Sequence, residues 1–200
     1  MSHEQEKHQR AMQKLKENVD HSIASANVER GVLILLTGEG KGKSSSAFGM
    51  VMRCLGYGLQ PAVVQFIKGV QLSGEELFVK AQLKDVPFYQ MATGFTWDTQ
   101  DRSGDIAAAE RTWQVAEQHL KNDKIHLLVL DELTYMLGFK YLSEQQVINA
   151  IQQRPSQQSV VITGRGGGSA LRALADTVTD MTNVKHAFDS GIAARKGVDF

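Results

Sequence analysis

The sequence predicts an α/β fold: a mostly parallel central sheet of about six strands flanked by helices, with a helical arm in front. Three observations carry that expectation. From Gly31 onward, short apolar runs alternate with stretches of helical character. Runs such as "LLVL" and "VVI" are aliphatic without alternation, as strands buried on both faces are. A glycine-rich turn, "TGEGKGKSS", joins the first run to the first helical stretch, and right-handed crossovers of this kind build parallel sheets.

Each element follows from its residues. Residues 1–30 are highly charged and lack glycine and proline, with Met12, Leu15, Val19 and Ile23 spaced by three or four. That spacing gives one thin apolar stripe on a helix. The arm is expected either to fray or to pack across a partner subunit or a ligand. Residues 31–200 form one domain. Its strands are expected at 32–38, 62–67, 86–92, 126–132, 159–164 and, more weakly, 177–181. Helices fill 44–57, 74–83, 101–121, 143–154 and 168–175. The three prolines fall where they do no harm: Pro61 and Pro87 at strand starts, Pro155 after a helix.

Composition narrows the function classes. Lysine plus arginine number 22, as do aspartate plus glutamate, so no net field draws the chain to nucleic acid or an acidic membrane. No apolar run reaches the roughly 20 residues of a membrane span, and the N-terminus lacks the apolar centre of a signal peptide. One cysteine, Cys54, excludes an internal disulfide and reads as a small buried residue. These features predict a cytoplasmic protein without nucleic-acid or membrane partners.

The strand ends hold the chemistry, because ligands of such sheets gather outside the carboxyl ends of the strands. In "TGEGKGKSSSAFG", Gly38, Gly40 and Gly42 let the backbone curl, and Ser44 opens a helix whose positive end favours phosphate. Lys43 is suited to neutralise phosphate oxygens, Ser44 to hold magnesium, and Lys41 adds a second cation. Glu39 and Ser45 belong to the same candidate nucleotide-binding set. The loop is one residue short of the usual phosphate-binding pattern, which has glycine where Thr37 stands. "LLVLDE" delivers Asp131 and Glu132 at a strand end; if both stay extended they point to opposite sides, one for a metal and the other to orient the site. Arg165 in "TGRGGG", Lys68 after the second strand and Arg53 on the first helix are each either solvated charges or phosphate contacts. Phe95 and Trp97 in "MATGFTWDTQD" suit core packing or a platform for an apolar ligand. No serine sits in a nucleophile elbow and no histidines are paired at metal spacing, so the reacting atoms are expected to belong to the substrates.

Together, "TGEGKGKSSSAFG", "VVQFIKG", "QMATGFTWDTQ", "LLVLDELTYM", "VVITGRG", "LADTVTDM" and "VKHAFDSGI" resemble the bacterial ATP:corrinoid adenosyltransferases of the CobA/BtuR type over nearly the whole chain. The resemblance implies a homodimeric, RecA-like P-loop fold using Mg2+ or Mn2+. It implies transfer of the 5′-deoxyadenosyl group of ATP to the Co(I) of cobalamin or a precursor corrinoid, with triphosphate released and a flavodoxin-type reductant supplying the electron. It further implies Gly38 through Ser44 as the phosphate loop, Ser44 and Glu132 as metal contacts, and Phe95 and Trp97 as an aromatic pair near the cobalt. The rival expectation is a RecA-like ATPase in which Glu132 positions a water against the γ-phosphate.

Overall fold

The computed structural model describes residues 3–67, 72–91 and 101–200. All six expected strands are present: β1 (Leu33–Thr37), β2 (Pro61–Gln65), β3 (Phe88–Gln90), β4 (Leu127–Asp131), β5 (Ser159–Thr163) and β6 (Thr177–Asp180). They form one sheet in the order β3-β2-β4-β5-β1-β6, and every pairing is parallel. The helices are α1 (His3–Ser25), α2 (Lys43–Gly56), α3 (Gly74–Gln82), α4 (Arg102–Leu120), α5 (Leu133–Gly138), α6 (Glu144–Gln152) and α7 (Ser169–Leu174), with a 3-10 turn at Ala187–Ser190. The sequence pattern missed α5, whose six residues are too few for periodicity to register.

Successive strand residues divide the core between two helical layers. Leu33, Leu35, Ala62, Val64, Leu128, Leu130, Val160 and Ile162 pack with Trp113 of α4 and with α5, α6 and α7. Leu36, Val63, Val129 and Val161 take the other face, against Ala47, Phe48, Val51 and Cys54 of α2 and Val79 of α3. Both faces of β1, β2, β4 and β5 are covered, which is why these strands carry unbroken aliphatic runs, whereas the edge strand β6 is exposed. Cys54 is free and buried, as its neighbours required.

Local chemistry fixes the helix starts. The Ser73 side chain caps α3 by accepting from Glu76 N–H at 3.2 Å, and Asp101 caps α4 by accepting from Gly104 N–H at 3.0 Å. A salt bridge joins Arg30 to Asp176, whose Oδ2 also accepts from Leu33 N–H at 2.8 Å. It ties the β1 entrance to the chain entering β6. Helix α1 is exposed along its described side chains, with Met12, Leu15, Val19 and Ile23 all open to solvent. No described helix is long and apolar enough to cross a membrane.

Candidate active site

The carboxyl ends of β1, β2, β4 and β5 surround a cavity of 1030 Å³. Into it the chain brings Glu39 through Ser45, Gln65, Asp131, Glu132, Tyr135 and Arg165. The cavity therefore lies at the strand ends, where ligands were expected to gather.

The loop after β1 is held from behind. Gly40 N–H donates to Met181 O at 2.6 Å, and a side chain on Gly38 or Gly40 would collide with backbone or side-chain atoms of residues 180–182. Gly38 faces a second, smaller pocket toward Asp180. These two glycines are thus demanded by close packing against the end of β6. Gly42 has φ +111° and starts α2 with no side-chain cap, so the first amides of the helix stay available to a ligand. Thr37, where the usual pattern has glycine, is fully buried and donates its hydroxyl to Gly166 O at 2.6 Å. The shorter loop starts from a fastened strand end.

Lys43, Lys41 and Arg165 already have partners within the chain. Lys43 Nζ donates to Gly38 O and Gly40 O, both at 2.7 Å, which binds the loop to its own lysine. Burial draws the Lys43 ammonium below its ordinary pKa, while the Glu132 carboxylate opposes that shift. Lys41 Nζ lies 2.6 Å from Asp199 Oδ1, and Arg165 lies 3.0 Å from Glu39 Oε2.

Asp131 and Glu132 part company. The Asp131 carboxylate accepts from Thr163 Oγ1 at 2.6 Å and from Gln65 Nε2 at 2.9 Å, and it is buried. The row continues sideways across the sheet, as the strand register requires: Gln90 Nε2 donates to Gln65 Oε1 at 2.7 Å and to Glu76 Oε2 at 2.9 Å. Glu132 is not extended, contrary to the simple strand reading. It adopts φ +60°, a conformation uncommon for a residue with a side chain, and its N–H donates to Thr163 Oγ1 at 2.9 Å. That turn, more than strand alternation, separates the two carboxylates. Glu132 Oε2 is buried with no hydrogen-bond partner among the described residues. Burial first, then the Asp131 charge, pushes the Glu132 carboxyl up to about 7, against the pull of Lys43 and Arg165.

Other expectations fare unevenly. Arg53 is exposed on α2 and does not line the cavity. Lys68, Phe95 and Trp97 lie outside the described residues. Sequence reasoning did not single out Gln65, Thr163 or Thr134, although each stands at or beside a strand end. Thr134 Oγ1 donates to Arg165 O at 2.8 Å and so holds the glycine-rich turn after β5. It also missed the C-terminal segment: His186, Phe188 and Gly197 through Phe200 form one wall of the cavity. That contribution has no local signature.

Known proteins share this chain's pattern. The family described as ATP:corrinoid adenosyltransferase BtuR/CobO/CobP matches residues 29–200. A corrinoid adenosyltransferase of Pseudomonas aeruginosa is 51% identical over 195 residues, covering 98% of this chain and 96% of the relative. Corrinoid adenosyltransferases of Escherichia coli K12 and Salmonella typhimurium are each 46% identical over 195 residues, covering 98% of both chains.

Proposed function

The chain belongs to the ATP:corrinoid adenosyltransferase family, and from that premise we propose how its residues carry the reaction. The enzyme transfers the adenosyl group of ATP to a corrinoid. The observation that supports the detail is the cavity that joins the phosphate-type loop, Arg165 and a Glu132 oxygen with no partner among the described residues.

In this reading the cobalt(I) of the corrinoid donates its electron pair to the ribose 5′ carbon. The carbon–oxygen bond to the phosphate chain breaks as the cobalt–carbon bond forms, and its electron pair leaves on triphosphate. Cobalt(I) is nucleophilic without a general base, so the protein has two tasks: to align the reacting atoms and to stabilise the departing charge. Lys43, Lys41, Arg165 and the first amides of α2 serve the second task. Gly38 through Ser45 form the cradle. Asp131, closed by Thr163 and Gln65, orients the strand end and leaves Glu132 to face the ligand.

The donor set fits a hard divalent cation, because a hydroxyl and a buried, unpartnered carboxylate oxygen share the cavity with room for phosphate oxygens. Mg2+ or Mn2+ held by Ser44 and Glu132 would neutralise charge on the phosphate chain. Phe95 and Trp97 are assigned to the corrinoid face, where an apolar wedge favours loss of the lower axial ligand and eases reduction of cobalt(II). A flavodoxin-type reductant supplies that electron. The exposed stripe of α1 suits a homodimer contact, and the setting is cytoplasmic.

The test combines the protein with ATP, Mg2+ and chemically reduced cobalamin. Absorbance reports cobalt–carbon bond formation, and the phosphate product is identified in the same sample. Adenosylated corrinoid with intact triphosphate is expected; orthophosphate without adenosylation would return the ATPase.

A further inference from the structure

The last six residues form a turn closed on itself. Val198 N–H and Asp199 N–H both donate to Arg195 O, Gly197 N–H donates to Phe200 O at 2.8 Å, and Gly197 takes φ +77°. Arg195 N–H donates to Asp199 Oδ2 at 2.8 Å, which leaves Oδ1 aimed outward. That oxygen meets Lys41 Nζ at 2.6 Å, and residues Gly197 through Phe200 stand in the wall of the same cavity as the phosphate loop.

A carboxylate beside the lysine of a phosphate cradle is chemically odd. A tetraanionic phosphate chain arriving at Lys41 meets a like charge already there. The pair is also partly exposed, with half of the Lys41 side chain open to solvent, so it is weak enough to exchange. Asp199 is held below the usual carboxylate range, first by Lys41 and then by the Arg195 amide, so it remains charged throughout the neutral range.

We propose that Asp199 is a release residue, an internal competitor for Lys41 that yields to the triphosphate chain of ATP and returns as free triphosphate leaves. This rests on the proposed reading of the loop as the triphosphate cradle. The physical need is plain. Contacts that stabilise triphosphate as a leaving group also retain it as a product, and product release limits many enzymes. A tethered carboxylate acts at high effective concentration and loosens the product without weakening the amides of the cradle.

The experiment measures calorimetric affinity for inorganic tripolyphosphate and for ATP with Mg2+, using the full chain, Asp199→Asn, Lys41→Ala and the double variant. Asparagine keeps the shape and the bond from Arg195 N–H while removing the charge. Asp199→Asn is expected to bind both ligands about two- to fivefold tighter. The gain should shrink with salt and vanish in the Lys41→Ala background. In turnover with reduced cobalamin, KM for ATP and kcat should fall together. Equal or weaker binding by Asp199→Asn, or a gain that persists without Lys41, would overturn the proposal. Tripolyphosphate binding to none of the four proteins would remove the cradle reading itself, and this inference with it.

Discussion

The hydroxyl of Thr163 donates to Asp131 at 2.6 Å and accepts from the backbone of Glu132 at 2.9 Å, so one side chain on β5 sets the last residue of β4 and the one that follows it. That double contact keeps Asp131 turned inward and supports the left-handed turn at Glu132.

Thr163→Val keeps the shape and removes both bonds. It leaves a buried carboxylate oxygen and a backbone N–H without their partner, at a cost of about 1–3 kcal/mol. Thermal unfolding should show that loss, and the adenosylation rate should fall about tenfold or more, since small displacements in aligned sites are costly. Thr163→Ser restores the hydroxyl and should recover most of the rate. A Val variant with full activity would remove Thr163 from the positioning role.

Glu132 gives a pH signature. Its carboxyl is raised to about 7 in the folded chain, chiefly by burial. A raised carboxyl contributes stability that is complete below its unfolded pKa near 4.5 and disappears as pH rises through about 7. Wild-type stability should therefore fall between pH 5 and pH 8 by up to about 3 kcal/mol from this group. Glu132→Gln should flatten that slope and be the more stable protein at pH 8, yet lose adenosylation. Denaturant titrations at the two pH values decide it. Wild-type activity should drop as pH falls below about 7, where the carboxylate is neutralised, and added Mg2+ should move the midpoint lower.

Gly164 offers a steric test. It sits at φ +134°, and an added Cβ would lie 2.1 Å from Thr134 Oγ1 and 3.3 Å from Glu132 Oε2. Gly164→Ala should cost about 2–4 kcal/mol through strain and collision, and should break the Thr134 bond to Arg165 O. Adding Thr134→Ser leaves the colliding oxygen in place and should restore little. Adding Thr134→Ala should relieve the worst collision and leave the backbone strain with the close contacts to residue 134 Cβ and Glu132 Oε2. Equal melting temperatures for the two double variants would show that the collision is not the cause.

Acid should loosen the start of β1. Asp176 is held down to about 2, first by Arg30 and then by Leu33 N–H. A depressed carboxyl contributes stability above its unfolded pKa and loses it as pH falls through its folded value. The wild-type melting temperature should therefore decline from about pH 4 toward pH 2 by this route. The pair is open to solvent, so screening limits its worth: Asp176→Asn should cost about 1 kcal/mol at pH 7. Its acid slope should be shallower, and salt should narrow the difference.

The residues fixed a good deal by themselves. Six strands, the burial of β1, β2, β4 and β5 on both faces and six of the seven described helices followed from aliphatic runs and periodicity, because those signals are local. Glycine-rich turn, lysine, serine and strand-end carboxylates pointed to a nucleotide site for the same reason, and the longer matching segments pointed to the corrinoid. The tertiary structure alone decided which carboxylate lacks a partner among the described residues. Asp131 and Glu132 look equivalent in "LLVLDE", but Thr163 lies 32 residues from Asp131 and Gln65 lies 66 away, and both reach it only through sheet pairing. Gly38 and Gly40 looked like pure phosphate-loop glycines until β6 was packed behind them. Asp199 had no signal at all in the sequence. Its meeting with Lys41 joins residues 158 positions apart, and a contact of that span comes from the closed fold, since no local preference encodes it.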